Sequence, residues 1–304
     1  MKALALYITR DAYKAILVIS AFALLGLLGP PLTWIFSVAS GAAMTLAAFV
    51  WQARQSMLVL IGSTLATAAF ALLAAGTATP AILFVISLWL PVWLLVQVYK
   101  RTGSLVLALE SGVYLAIAAV FLVYASVDDP AAIWIPLLQP FKEMMQEVYP
   151  DLPAADIKQL IAMAAHHMTG AVVATVLAGL FVCILLGRSW LALVDKAAPL
   201  ATDFNGLRFD YVTALISIVL LSVAVMTDAP SALNASIVIG MAYVLPGLAV
   251  IHGSAAKAGL SNSWLLGLYI LLVFASQVMV PLLSVLGLID TWVNIRARVK
   301  NRAQ

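Results

Sequence analysis

The chain has 304 residues; 64% are hydrophobic, 10% are charged, and the net charge is +3. A soluble domain carries about 45–50% apolar and about 25% charged residues, so composition excludes a water-soluble globule. The basic residues stand singly or gather at one terminus, which excludes a nucleic-acid footprint and fits the cationic edges of a membrane protein.

The apolar stretches are continuous. Strands of a membrane barrel would alternate in segments of about ten residues, so helices are the reading. The expected fold is all-α, a polytopic transmembrane bundle of eight or nine spans in a single domain, 1–304. Lys2, Arg10 and Lys14 precede the first apolar run, as in a signal peptide. No small-x-small cleavage pattern follows, so the run reads as a retained first span.

Charges then serve as rulers. Between Lys14 and Arg54 lie 39 uncharged residues. That is about 58 Å of helix, against about 30 Å for one crossing. Two spans are expected, broken at Gly29-Pro30-Pro31. Another 45 uncharged residues separate Arg54 from Lys100, with a turn expected at Gly76-Thr-Ala-Thr-Pro80. A fifth span runs from about Ser104 to Ala125 and carries Glu110.

The connection at about 126–158 is acidic, with six Asp/Glu against Lys142 and Lys158. Phe141, Met144, Met145 and Val148 fall at i, i+3, i+4 and i+7, with Lys142, Glu143, Gln146 and Glu147 opposite. This spacing predicts a short amphipathic helix that lies on the membrane surface or caps the bundle. A sixth span follows, from about Ile161 to Leu186. Its Gly170, Ala174 and Ala178 form a small-residue stripe suited to close helix approach. Cys183 in the same run reads as a small buried apolar residue. After a polar connection from Arg188 to Asp210, spans seven and eight run from about Tyr211 to Met226 and Leu233 to Ile251. Asp228 and Pro230 separate them.

Between Lys257 and Asp290 stand 32 uncharged residues, too many for one comfortable crossing and few for two. The stretch is expected to break near Pro281 or to be re-entrant; otherwise the basic tail at 291–304 is an exception to the positive-inside rule. That rule places the N-terminus, Arg54, Lys100-Arg101, Arg188-Lys196-Arg208 and Lys257 on one side, taken as cytoplasmic.

Two stretches carry a resemblance. One is Gly187-Arg-Ser-Trp-Leu-Ala-Leu-Val with Phe204-Asn-Gly-Leu-Arg208; the other is Leu286-Gly-Leu-Ile-Asp-Thr-Trp-Val-Asn-Ile-Arg296. In this order of spans the chain resembles the YybS-like family of bacterial integral membrane proteins. Such proteins are distantly similar in fold to substrate-binding subunits of energy-coupling-factor vitamin transporters and to the rod-shape protein MreD. The resemblance implies a bacterial inner membrane and family-motif roles for Phe204, Leu207, Arg208, Asp290 and Arg296. It leaves two functions open: a subunit that binds or transports a small molecule, and a scaffold for envelope machinery that recruits other membrane proteins.

Charged and polar groups inside spans suggest function by default. Glu110 is a candidate ion, proton or substrate ligand, or an interfacial carboxyl. His166 and His167 point about 100° apart on a helix, so they do not chelate one metal; a ligand-bonding, pH-sensitive or packing role stays open. His252 lies at the end of span eight. Trp89 and Trp93 share a face around Pro91, as a pocket wall or as packing. A transport role predicts a cavity lined by Trp89, Trp93, Glu110 and a span-six histidine. A scaffold predicts a packed bundle with exposed small-residue stripes. Asp290 is expected to pair with Arg208, since Arg296 is six residues on and off helical register. No catalytic motif, metal site or cofactor site is expected, and the anticipated partners are the lipid bilayer and a small molecule or membrane protein.

Overall fold

The computed structural model describes residues 1–27, 29, 32–195, 200–260 and 262–299. Pro30 and Pro31 of the first expected break, Lys196, and residues 300–304 of the basic tail lie outside them. Among the described residues every regular element is helical. The all-α reading therefore holds.

The elements are α1 (Lys2–Arg10), α2 (Ala12–Gly26), α3 (Leu32–Val50), α4 (Ala53–Ala75) and α5 (Thr79–Phe84). A π-helical turn, Val85–Trp89, joins α5 to α6 (Leu90–Thr102). There follow α7 (Leu105–Ser126), α8 (Pro130–Leu137), α9 (Gln139–Val148), α10 (Ala154–Val194), α11 (Leu200–Asn205) and α12 (Tyr211–Thr227). The chain closes with α13 (Pro230–Ala258), α14 (Asn262–Phe274), α15 (Ser276–Val293) and α16 (Ile295–Arg298).

Among the described residues, seven helices are long and apolar enough to cross a membrane: α3, α4, α5–α6 as one, α7, α10, α13 and α15. The chain is thus read as a multi-pass membrane protein. α2 and α12 are apolar but have 15 and 17 residues, about 22 and 26 Å. Counting them as crossings raises seven to nine.

The breaks have local causes. Gly76 ends α4 in the left-handed region at φ +67, where a side chain would be strained. Pro91 has no N–H to give the ladder, and the π turn lies immediately upstream of it. Asp228 closes α12 at φ 50 and Pro230 opens α13.

The last apolar stretch is broken, but not at Pro281. α14 ends at Phe274, the chain bends at Ala275 (φ −123, ψ 35), and α15 begins at Ser276. Pro281 stands inside α15. A break six residues upstream leaves the proline in the second turn, where it forfeits one rung rather than ending the helix.

Two compact units result, Met1–Gly112 with Ala178–Leu207, and Val113–Leu177 with Arg208–Gln304. In the first, α3 is the central helix. Ser40, Gly41, Ala42, Ala43, Thr45, Ala47 and Ala48 are all buried, and such small residues let neighbours approach closely. A Cβ on Gly187 would stand 2.4 Å from the Thr45 side chain, so Gly187 marks a point of close helix approach to α3. Cys183 is fully buried and free, as its apolar run predicts. In the second unit α13 and α15 pack closest. A Cβ on Gly247 would lie 2.0 Å from the Leu283 carbonyl oxygen, and one on Gly287 would lie 2.4 Å from that of Tyr243.

The amphipathic helix forms as α9 and buries none of its residues. Phe141, Met144 and Val148 are exposed. Met145, on the same face, is half-buried.

Candidate functional site

The sequence-selected residues separate in the structure. Trp89 is fully buried, stacks on Phe84, and donates its indole N–H to Ser40 Oγ at 3.0 Å. Ser40 in turn donates its hydroxyl to the Ile19 carbonyl at 2.8 Å. Trp93 donates to Ser56 Oγ at 3.0 Å. Both tryptophans are packing residues that tie helices together. Glu110 is buried. His166 and His167 expose their side chains instead of turning them into a pocket. His252 Nε2 lies 2.9 Å from the Tyr269 hydroxyl, in an edge-on ring contact.

Among the described residues two cavities stand out, and none of Trp89, Trp93, Glu110, His166, His167 or His252 lines either. The larger, of about 360 Å³, belongs to the second unit. Ala174 of α10, Leu221 of α12, Ile237, Gly240, Met241 and Tyr243 of α13, and Val280, Pro281, Ser284, Val285 and Leu288 of α15 line it. Its walls are nearly all hydrocarbon. Ser284 Oγ is committed to the carbonyls of Gly240 (2.5 Å) and Val280 (2.8 Å). Tyr243 is buried, with its ring edge-on to Phe209 at 5.4 Å.

One helical turn from the cleft wall stands a residue that the sequence reading passed over. Asn234 is fully buried. Its Oδ1 accepts the Gly170 N–H at 2.6 Å, and its Nδ2 lies 2.8 Å from the carbonyls of His166 and Pro230 and from the Tyr124 hydroxyl. The amide thus spans one rung of α10, between the His166 carbonyl and the Gly170 N–H. Gly170 permits this, since a Cβ there would meet the Asn234 carbonyl oxygen at 2.5 Å. One residue along, Thr169 accepts the Trp134 indole N–H at 2.8 Å and anchors α8. Ala174 and Ile237, on the cleft wall, are one turn beyond Gly170 and Asn234. The small-residue stripe is therefore used inside the unit at Gly170 and Ala174, both buried. Asn234 carries no formal charge, so charge alone does not single it out, and its contact with Gly170 is a tertiary fact.

Of the residues in the two stretches that carry the resemblance, Asp290 and Arg296 form a clamp. Asp290 is 1% exposed, and its Oδ2 accepts from Arg296 Nη2 at 2.7 Å. Its Oδ1 accepts the Ile295 N–H at 2.7 Å. The expected Asp290–Arg208 pair does not form; Arg208 is half-buried elsewhere in the unit. The reason is Asn294. At φ 47 it ends α15 and reverses the chain, so a residue six positions on returns to the carboxylate. Lys257 Nζ then donates to the Arg296 carbonyl at 2.9 Å and fixes the clamp to the end of α13. In the other stretch, Arg188 is buried and pairs with Asp203 at 3.3 Å, Leu207 is fully buried, and Phe204 is half-buried.

Compared with protein-family models, curated proteins and solved structures, the chain has no match.

Proposed function

We propose that the protein is a non-enzymatic membrane subunit that binds an apolar small molecule in the cleft between α12, α13 and α15. The cleft itself carries this reading. Its volume of about 360 Å³ falls within the roughly 300–1,000 Å³ usual for ligand sites. Its one serine is already bonded to backbone, so recognition rests on shape and hydrocarbon contact. The ligand class is therefore a lipophile of the membrane interior rather than a charged metabolite. The transport side of the YybS-like resemblance, a bacterial inner membrane and a cytoplasmic N-terminus belong to the same proposal; Lys/Arg placement supports the orientation.

Gly240 offers a clean test. A Cβ there meets nothing within 4 Å, so Gly240→Leu fills the cleft without striking backbone. Protein purified in mild detergent and extracted for mass spectrometry should yield a retained apolar compound, and Gly240→Leu should lose it at unchanged thermal stability. Equal retention by both proteins would refute the site.

The scaffold reading draws on a different observation, the uncovered apolar face of α9. Co-purification of a membrane protein that is lost on Met144→Glu would favour it.

A further inference from the structure

Several cations of the first unit lie at helix ends, and Lys100 and Lys14 among them are already engaged. Lys100 Nζ donates to the carbonyls of Ala48 and Trp51 at 3.1 and 2.6 Å, so its charge serves the C-terminal end of α3. Lys14 Nζ lies 2.8 Å from Asp11 and within 5.4 Å of the Tyr7 and Tyr13 ring centroids. Arg10 differs. Its described ion pair is a 4.0 Å approach to the same carboxylate, and its side chain is 77% exposed.

Arg10 borders a pocket of about 280 Å³, walled also by Asp11, Ala12, Trp51, Gln55 and Leu58. Gln55 is exposed, and its amide makes no hydrogen bond among the described residues. Beyond the pocket, Leu58, Ile61 and Leu65 continue down one face of α4, each exposed. Tyr7, Tyr13 and Trp51 mark the depth of this end, because amphipathic aromatic rings settle at the membrane–water boundary. The pocket therefore combines a guanidinium, a free amide and an interfacial indole above a bare hydrocarbon track.

We propose that this pocket seats the phosphate of an anionic membrane lipid. The Arg10 guanidinium and the Gln55 amide donate to phosphate oxygens, Trp51 flanks the headgroup, and an acyl chain follows Leu58, Ile61 and Leu65. Guanidinium geometry suits phosphate, and basic pockets at the headgroup level attract anionic lipids. The Asp11 carboxylate does not oppose this, because Lys14 holds it at 2.8 Å.

The test uses the full chain in mild detergent, with native mass spectrometry during titration of phosphatidylglycerol, phosphatidylcholine or sodium phosphate. One phosphatidylglycerol per chain should be retained over phosphatidylcholine by about fivefold, the factor that one cation near the surface contributes. Arg10→Glu should abolish the preference, Arg10→Lys should keep part of it, and Gln55→Leu should weaken it. Equal retention of the two lipids overturns the proposal, as does a preference unchanged in both Arg10→Glu and Gln55→Leu. Saturable binding of inorganic phosphate without lipid preference also overturns it and assigns the pocket to a free anion. Should Arg10→Glu fail to fold, Gln55→Leu and Trp51→Ala carry the same test with no charge changed.

Discussion

The two units solve the same problem by different means. In the first, polar side chains link helices one bond at a time, as in the relay from Trp89 through Ser40 to the Ile19 carbonyl. The second has single links too, such as Trp134 to Thr169, but there Asn234 and Asp290 each gather several bonds, Asn234 on α10, α7 and α13 and Asp290 on the tail. The first unit is filled around α3 by small residues. The second draws α13 and α15 together at Gly247 and Gly287, yet leaves a cleft around Gly240 and Pro281. Water offers no substitute bonds in a bilayer, so polar groups must be satisfied internally. Distributed links permit an even interior; concentrated ones fix a few points and allow space between them.

Perturbations should rank accordingly. Asp290→Ala leaves a buried guanidinium without its carboxylate, which costs about 3–5 kcal/mol, read as a large fall in thermal midpoint. The swap Asp290→Arg with Arg296→Asp should recover part of that loss, whereas pairing Asp290→Arg with Arg208→Asp should recover none. Next, Gly287→Ala drives a methyl into the Tyr243 carbonyl and should cost about 1–3 kcal/mol. Gly240→Ala on the same helix pair should be silent, and equal effects at the two glycines would show that the cleft is not open.

Asn234→Leu should follow. The His166 carbonyl and the Gly170 N–H can close their own helical rung, so mainly the Tyr124 hydroxyl is stranded, at about 1–2 kcal/mol. Its sharper readout is the cleft: ligand retention should drop while the fold survives. Ser20→Ala, which removes only the bond from the Ser20 hydroxyl to the Ser63 carbonyl at 3.3 Å, should be smallest, about 0.6 kcal/mol, the average for one interhelical bond in a membrane protein. If it exceeds Asn234→Leu, the contrast between distributed and concentrated bonding fails.

Much of the fold was legible because hydrophobic length and punctuation are local. The turns at Gly76 and Asp228–Pro230, the amphipathic α9 and the burial of Cys183 all follow from residue type and spacing. The last break was legible in kind but not in place, since where a strained helix yields depends on which rung it can spare. The candidate site was far less legible. Charge and aromaticity pointed to Glu110, the histidines and the tryptophans, whereas it is an uncharged residue, Asn234, that bonds to α7, α10 and α13 at once.

Sequence alone determined that this chain is a helical membrane protein, because apolar run length against bilayer thickness is a property of the chain itself. Only the tertiary structure decided which polar residues meet. Asp290 found Arg296 rather than Arg208 through a single left-handed residue, Asn294. Asn234 found Gly170 because only a glycine lets the two backbones come that close. Both outcomes depend on the path of the backbone between distant or off-register positions, which spacing along a helix does not encode.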